Sequence, residues 1–384
     1  MNESFEKLVF VVGCPRSGTT KLTELLNSHP EIFGSSETHF FNINWGFSFL
    51  NNSSIDLLKN ISEENLHHSL KDFYEHYRIK DFLQLADINS FRVTQLCKVL
   101  LERENAEIGV REQLKETAHE RASSRLRRTN DRSALGVHED HEDNENAEIG
   151  VREQSPESFK QILFTALLQA SKERMPNKTI FCEKTPQHLQ NVQEIHKLFP
   201  SAKFIHVKRD GRDVVNSLLK MPWRPAGLIN NARFWRKYAR LGEELENSLL
   251  DEKLEKNIIS IKFEELLENP PEVLKRICKF IDIDFDTSML EQVHNNSQKV
   301  FADWEKQWKH KANSSLDPSR KGAYKKELSQ DEQIILNHFL QKDLTALGYE
   351  VDLSNFKFRH LIYIWSSYIG LFKARLLRFI SQEQ

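Results

Sequence analysis

The chain has 384 residues, 39% of them hydrophobic, and its 25 Phe, 7 Tyr and 6 Trp supply enough apolar material to exclude wholesale disorder. Its 54 Lys and Arg against 56 Asp and Glu leave a net charge of −2, which argues against a dedicated nucleic-acid binder. Four widely separated cysteines, Cys14, Cys97, Cys182 and Cys278, form no Cys-x-x-Cys pair, so neither a disulfide framework nor a clustered metal site is expected, and reduced thiols in a cytoplasmic protein are.

The residues from Met1 to Lys7 are mostly polar, and the apolar run Leu8–Val12 leads directly into Gly13. That run has the length of a buried strand and is too short for a secretory signal. Gly13-Cys14-Pro15-Arg16-Ser17-Gly18-Thr19-Thr20 follows, with two glycines separated by four residues and hydroxyl groups opening a helix over Thr20–Asn27. This is the spacing of a phosphate cradle: the glycines permit a tight turn that exposes backbone amides, and the helix N-terminus adds partial positive charge. Thr19 occupies the position where a nucleoside triphosphatase carries lysine, and the cation sits earlier, at Arg16. No strand ending in a magnesium-binding Asp is evident, so a P-loop kinase is disfavoured.

A second short strand, Ile32–Ser35, precedes Ser36-Glu37-Thr38-His39-Phe40-Phe41. The segment 40–100, rich in Phe and Leu, reads as a helical cap. Residues 102–157 differ in kind: 24 of 56 are charged, none is Phe, Trp or Tyr, and Glu-Asn-Ala-Glu-Ile-Gly-Val-Arg-Glu-Gln occurs identically at 104–113 and 145–154. This composition predicts a charged, duplicated, largely disordered insertion, helical in part at most. Beyond it, strands are predicted at Thr179–Cys182, Lys203–Val207 and Ile258–Lys262, with helices at Leu189–Leu198, Asp213–Lys220 and Pro271–Phe280. The alternation implies an α/β fold, a central parallel sheet layered between helices, with ligands at the carboxyl ends of the strands.

Three further elements carry chemistry. Lys208-Arg209-Asp210-Gly211-Arg212-Asp213 turns a strand into a helix, and Ser217 lies eight residues after Arg209. Arg offers phosphate a planar fork of donors and Ser a neutral hydroxyl, although an arginine–aspartate surface cluster with a helix cap would read the same way. Glu183-Lys184-Thr185-Pro186 follows a strand, and its Glu and Lys are read as one pair. Pro318-Ser319-Arg320-Lys321-Gly322-Ala323-Tyr324 is either a nucleotide-closing loop or simply a flexible basic one. No His/Cys cluster with metal-ligand spacing is present, and no metal is expected.

Gly-Cys-Pro-Arg-Ser-Gly-Thr-Thr resembles the 5′-phosphosulfate loop of the sulfotransferases that use 3′-phosphoadenosine 5′-phosphosulfate (PAPS), and its Arg-Ser-Gly-Thr-Thr form is similar to the tyrosylprotein and bacterial members. The cytosolic branch usually carries Lys where this chain has Arg16. The resemblance implies a P-loop-like three-layer fold over residues 1–350. It further implies that Arg16, Ser17, Gly18, Thr19 and Thr20 hold the 5′ end of PAPS and that Arg209 and Ser217 hold its 3′-phosphate. Arg320, Lys321 and Gly322 would close over the nucleotide, and Leu347-Gly-Tyr-Glu350 is similar to the family's ending. Glu37 would be the general base, with His39 the second choice, while Lys184 and Arg16 would stabilise the sulfuryl group in the absence of a metal. A different reading is a non-catalytic module that binds a bisphosphonucleotide.

The acceptor is not legible: a carbohydrate, a glycolipid, a protein tyrosine and a small molecule all remain. Trp223, Arg224, Phe234 and Trp235 are either acceptor-stacking groups or core. The C-terminal segment, 351–384, has no acidic residue from 353 to 382, whereas Lys357, Arg359, Lys373, Arg375 and Arg378 flank Leu361–Trp365 and Leu371-Phe372. It reads either as a helix packing its apolar face on the domain or as a basic amphipathic helix making peripheral membrane contact. The uncharged apolar stretch there is too short for a span, which takes ~20 residues.

The insertion reading is directly testable. Deleting Asn105–Glu145 removes one 41-residue repeat unit and restores the sequence around the remaining copy in frame. Soluble yield and melting temperature should match those of the full chain, because loop length costs little; loss of soluble protein would show that the segment supports the fold.

Overall fold

The computed structural model describes residues 4–42, 61–103, 156–224, 226–247, 252–291 and 316–367. The chain divides into two compact units, one comprising residues 1–44, 75–87 and 171–384 and the other residues 45–74 and 88–170.

The first unit is organised on five strands: β1 (Lys7–Gly13), β2 (Ile32–Gly34), β3 (Ile180–Glu183), β4 (Lys203–Lys208) and β5 (Ile258–Lys262). They form one sheet in the order β2-β3-β1-β4-β5, and every pairing is parallel. Val9, Phe10, Val11 and Val12 are buried on both faces of the central strand, which explains a continuous apolar run where an exposed strand would alternate. Each strand matches its sequence prediction to within a residue or so. The register pairs Val9 with Cys182 on one side of β1 and Gly13 with Val207 on the other, so the loops after β1, β3 and β4 leave the sheet along one edge.

Helices cover the sheet as expected: α1 (Thr19–Asn27), α2 (Tyr77–Leu85), α3 (Val192–Leu198), α4 (Gly211–Leu219), α5 (Leu228–Glu246), α6 (Phe263–Glu268), α7 (Pro270–Phe280) and α8 (Gln330–Ala346). The predicted helix from Leu189 is a 3-10 turn over Pro186–Asn191 followed by α3, because Pro186 opens the segment in a tighter winding. One apolar cluster unites Val9, Val11, Leu22, Leu25, Ile205, Val207, Ile261, Leu266, Leu274 and Ile277, stretches far apart in the sequence.

The segment read as a helical cap is helical where described, but it does not belong to one body. Residues 75–87 go with the sheet, and Phe82 meets Phe181 of β3 edge-on at 6.3 Å between ring centroids. Residues 43–60 lie outside the described ones. The insertion boundary also moves: Glu102 and Arg103 are helical, and Pro156 and Glu157 begin a helix that runs to Arg174. Proline favours the first helical turn because its missing N–H is unneeded there. The rest of the insertion, 104–155, lies outside the described residues.

A polar clip fastens α5 to the sheet. The Glu246 carboxylate accepts from His206 Nδ1 of β4 at 3.0 Å and from Lys208 and Ser260 on β4 and β5. Gly242 lets the helix approach, since a Cβ there would lie 2.1 Å from His206 Cε1. Burial pushes the Glu246 carboxyl up, but its hydrogen bonds more than offset this and hold it at about 2. A depressed carboxyl pKa contributes stability above the unfolded value and loses it as pH falls through the folded one. Glu246→Gln should therefore lower the melting temperature at neutral pH, and the gap to wild type should narrow between about pH 4.5 and about pH 2. Thermal melts across that range check this.

Candidate active site at the carboxyl edge of the sheet

The loop after β1 is shaped by two glycines. Gly18 caps α1 at φ 107°, and a Cβ there would fall 2.2 Å from the Phe263 ring. Gly13 has φ 153°, and a Cβ there would meet the Val207 carbonyl oxygen at 2.6 Å. No side chain caps α1, so its first amides are left to the loop. Arg16 adopts φ 76°, an unusual conformation for a residue with a side chain, and its Nε donates to Ser217 Oγ on α4 at 3.1 Å. The two motifs, 201 residues apart in sequence, thus meet.

Arg209 sits at the end of β4, over the Phe263 ring at 4.8 Å. It donates to the Arg16 carbonyl at 3.2 Å and to the Arg320 carbonyl at 2.9 Å, tying together three loops predicted to share one ligand. Arg16, Arg209 and Arg320 crowd one another. Burial and then the charges of Arg209 and Arg320 push the Arg16 guanidinium down to about 10, opposed by Glu37. Burial likewise lowers Arg209, with Asp213 and Glu264 opposing and Arg320 adding to the shift. Among the described residues, the buried atoms Ser17 Oγ and Arg209 Nε have no hydrogen-bond partner. Mutually repelling cations and orphaned donors beside glycine-exposed amides fit a polyanionic ligand such as a nucleotide carrying separated phosphate groups.

The Arg-Lys-Gly loop divides its roles. Asp213 of α4 accepts from the Gly322 amide at 2.8 Å and the Tyr324 amide at 2.9 Å, which fixes the loop. The Lys321 ammonium pairs with Glu268 on the exposed side. Glu264 accepts from the Asp210 amide at 2.9 Å and from the Tyr349 hydroxyl at 3.1 Å, so the Leu-Gly-Tyr ending braces the turn that carries Arg209.

Glu37 follows β2, and its Oε1 accepts from the wholly buried Lys184 Nζ at 2.9 Å. Its Oε2 lies 3.2 Å from His39 Nε2 and 3.7 Å from Arg78 on α2. The carboxylate can only accept, so the His39 Nε2 carries the proton and points it at Glu37. Burial lowers the His39 pKa below its ordinary value, with Glu37 opposing. These bonds make His39 an orienting partner of Glu37 and weaken its own claim as a base.

The pairing of Glu183 with Lys184 read from the sequence is overturned. Successive residues at a strand end face opposite sides. Lys184 turns to Glu37, whereas Glu183, fully buried, accepts from Thr38 N and Oγ1, Thr185 N and Oγ1, and His188 Nδ1 at 2.6–3.2 Å. Burial raises this carboxyl, but His188 and the hydroxyl donors outweigh it and hold the pKa below its ordinary value. The Phe41 amide donates to His188 Nε2 at 3.2 Å, leaving Nδ1 as the donor to Glu183. Since Thr38 and Thr185 adjoin Glu37 and Lys184, Glu183 holds both loops in place.

Arg78 and His188 were not singled out from the sequence. Arg78 lies in a segment without motif, and only the packing of α2 brings it to Glu37. His188 follows Glu183 by five residues across a proline, a spacing with no signal of its own. Among the aromatic candidates, Trp235 is core, donating Nε1–H to the Arg209 carbonyl at 3.2 Å. Trp223 is exposed, and Arg224 lies over the Phe234 ring at 3.8 Å. Among the described residues, no group of three or more His, Cys, Asp or Glu converges as a metal site.

Together the parallel sheet, the glycine-shaped loop and the arginine cluster define a P-loop-like α/β protein. Residues 9–103 and 95–287 match the model of the sulfotransferase family, and the chain belongs to that family. Protein-tyrosine sulfotransferase A of Caenorhabditis elegans is 28% identical over 110 residues, which make up 28% of this chain and 29% of that protein. The protein-tyrosine sulfotransferase of Drosophila melanogaster is 27% identical over 111 residues, 28% of this chain and 22% of that protein. Each alignment spans less than a third of the relative's length. The sulfotransferase domain from the Synechococcus PCC 7002 olefin synthase superposes with a TM-score of 0.52 at 16% identity, covering 91% of this chain and 97% of that one, a likeness of fold.

Proposed function

We propose that the protein transfers a sulfuryl group from PAPS to an acceptor hydroxyl or amine, with Glu37 as general base. The observation that carries this reading is the buried Glu37–Lys184 contact at 2.9 Å, coupled electrostatically to Arg16 in the phosphate-type loop. A module that only binds nucleotide has no use for a carboxylate and two cations held together at the loop's mouth. Sulfuryl transfer uses all three.

In this reading Ser17, the amides of Gly18, Thr19 and Thr20, and Arg16 receive the 5′-phosphosulfate. Arg209 and Ser217 take the 3′-phosphate, and the segment of Arg320 and Gly322 closes beside them. The structure makes Arg16 common to both ends of this cluster through its bond to Ser217. As the acceptor oxygen or nitrogen attacks sulfur, its proton passes to Glu37. The bond from sulfur to the 5′-phosphate oxygen breaks, and adenosine 3′,5′-bisphosphate leaves with the electron pair. Lys184 and Arg16 stabilise the charge spread over the sulfuryl and bridging oxygens. His39 and Arg78 fix the second carboxylate oxygen and leave Glu37 one orientation. The tyrosylprotein relatives make a protein tyrosine the first acceptor to assay, with carbohydrates, glycolipids and small phenols beside it.

Two measurements test the assignment. Glu37→Gln should retain the fold and the binding of adenosine 3′,5′-bisphosphate while turnover with labelled PAPS falls by ~10²–10⁴; near wild-type turnover would remove Glu37 from the role of base. In calorimetry the protein should bind adenosine 3′,5′-bisphosphate far more tightly than AMP, and Arg209→Ala should abolish that preference. Equal affinity for the two nucleotides in the wild type would refute the 3′-phosphate site.

A further inference from the structure

After α8, residues 358–367 form a ten-residue helix, α9. Its sidedness is the reverse of an ordinary surface helix. The residue buried beneath it is His360, which bonds to the Lys357 amide at 3.0 Å and to Asp331 at 3.1 Å. Phe358, Leu361, Ile362 and Trp365, at the i, i+3, i+4, i+7 spacing of one helical face, are instead 75%, 38%, 54% and 63% exposed. Nine large apolar side chains are exposed among the described residues, and six of them lie between Leu353 and Trp365. Single exposed apolar residues are ordinary, but a contiguous stripe on a regular helix marks a contact surface.

Charge decides what that surface meets. Lys357 and Arg359, both exposed, flank the stripe, and Arg359 also pairs with Asp331 at 2.7 Å. In the sequence, 353–382 carries five Lys and Arg and no Asp or Glu. Trp and Phe beside cations suit the boundary between lipid head groups and acyl chains, where aromatic rings settle at the interface and basic groups reach phosphate. A second copy of this chain would bring Lys357 and Arg359 against their own equivalents. We infer that the face of α9 formed by Phe358, Leu361, Ile362 and Trp365 docks the protein on an anionic lipid bilayer.

The test uses the full chain with large unilamellar vesicles of phosphatidylcholine alone or with 30% phosphatidylserine, together with Ile362→Glu/Trp365→Glu. Both positions are exposed, so the variant should keep the wild-type melting temperature and nucleotide binding. Wild type should sediment with phosphatidylserine vesicles about tenfold better than with neutral ones, and less as salt is raised. The double variant should lose most of that binding, again by about tenfold. Failure of the wild type to bind the anionic vesicles, or equal binding by the variant, overturns the inference. So does a wild-type dimer in size-exclusion chromatography that the variant converts to monomer, which would make this face an interface between copies. The vesicle readout is independent of sulfuryl transfer, so the two proposals fail separately.

Discussion

The guanidinium of Arg209 is the constraint on which the site depends. It lies buried at the end of β4, spends two donors on the carbonyls of Arg16 and Arg320, and is braced by Asp213 and Glu264. A buried cation that satisfies backbone oxygens of two loops fixes both relative to the sheet. The cost is electrostatic: Arg16, Arg209 and Arg320 repel one another, opposed by Asp213 and Glu264 around Arg209 and by Glu37 beside Arg16. A nucleotide phosphate at this edge, as proposed, would meet these guanidinium groups where dielectric screening is weakest.

The second half of the site follows a different logic. Glu37 and Lys184 neutralise each other, and their loops are held by Glu183, whose five hydrogen-bond donors leave it no unmet acceptor capacity. Phe41, buried just beyond Glu37, meets Phe10 and His188 edge-on, and Phe40 packs edge-on against Phe41, anchoring the same loop. Hydrophobic anchoring and a satisfied buried carboxylate together hold Glu37 and Lys184 rigid. The burden of positioning therefore falls on residues that need not touch the reacting atoms.

The strands, the phosphate-type loop and the Arg209–Ser217 spacing were legible in the sequence because each rests on local physics. A run such as Leu8–Val12 needs two covered faces, and the glycines at 13 and 18 answer to backbone geometry that other residues would strain. The α/β class and the family follow from those local signals. The apolar and basic pattern of the C-terminal segment was legible too, although which side of the helix faces the protein was not.

What the tertiary structure alone decided is which charges pair. Glu183 and Lys184 are adjacent in sequence, and adjacency suggested a pair that strand pleating forbids. Arg78 reaches Glu37 from 41 residues away in sequence, Arg16 reaches Ser217 across 201, and the orientation of α9 depends on His360 finding Asp331. Local preference is carried by neighbouring residues along the chain. Electrostatic and hydrogen-bond partners are chosen by proximity in space, which only the packed sheet and its loops define.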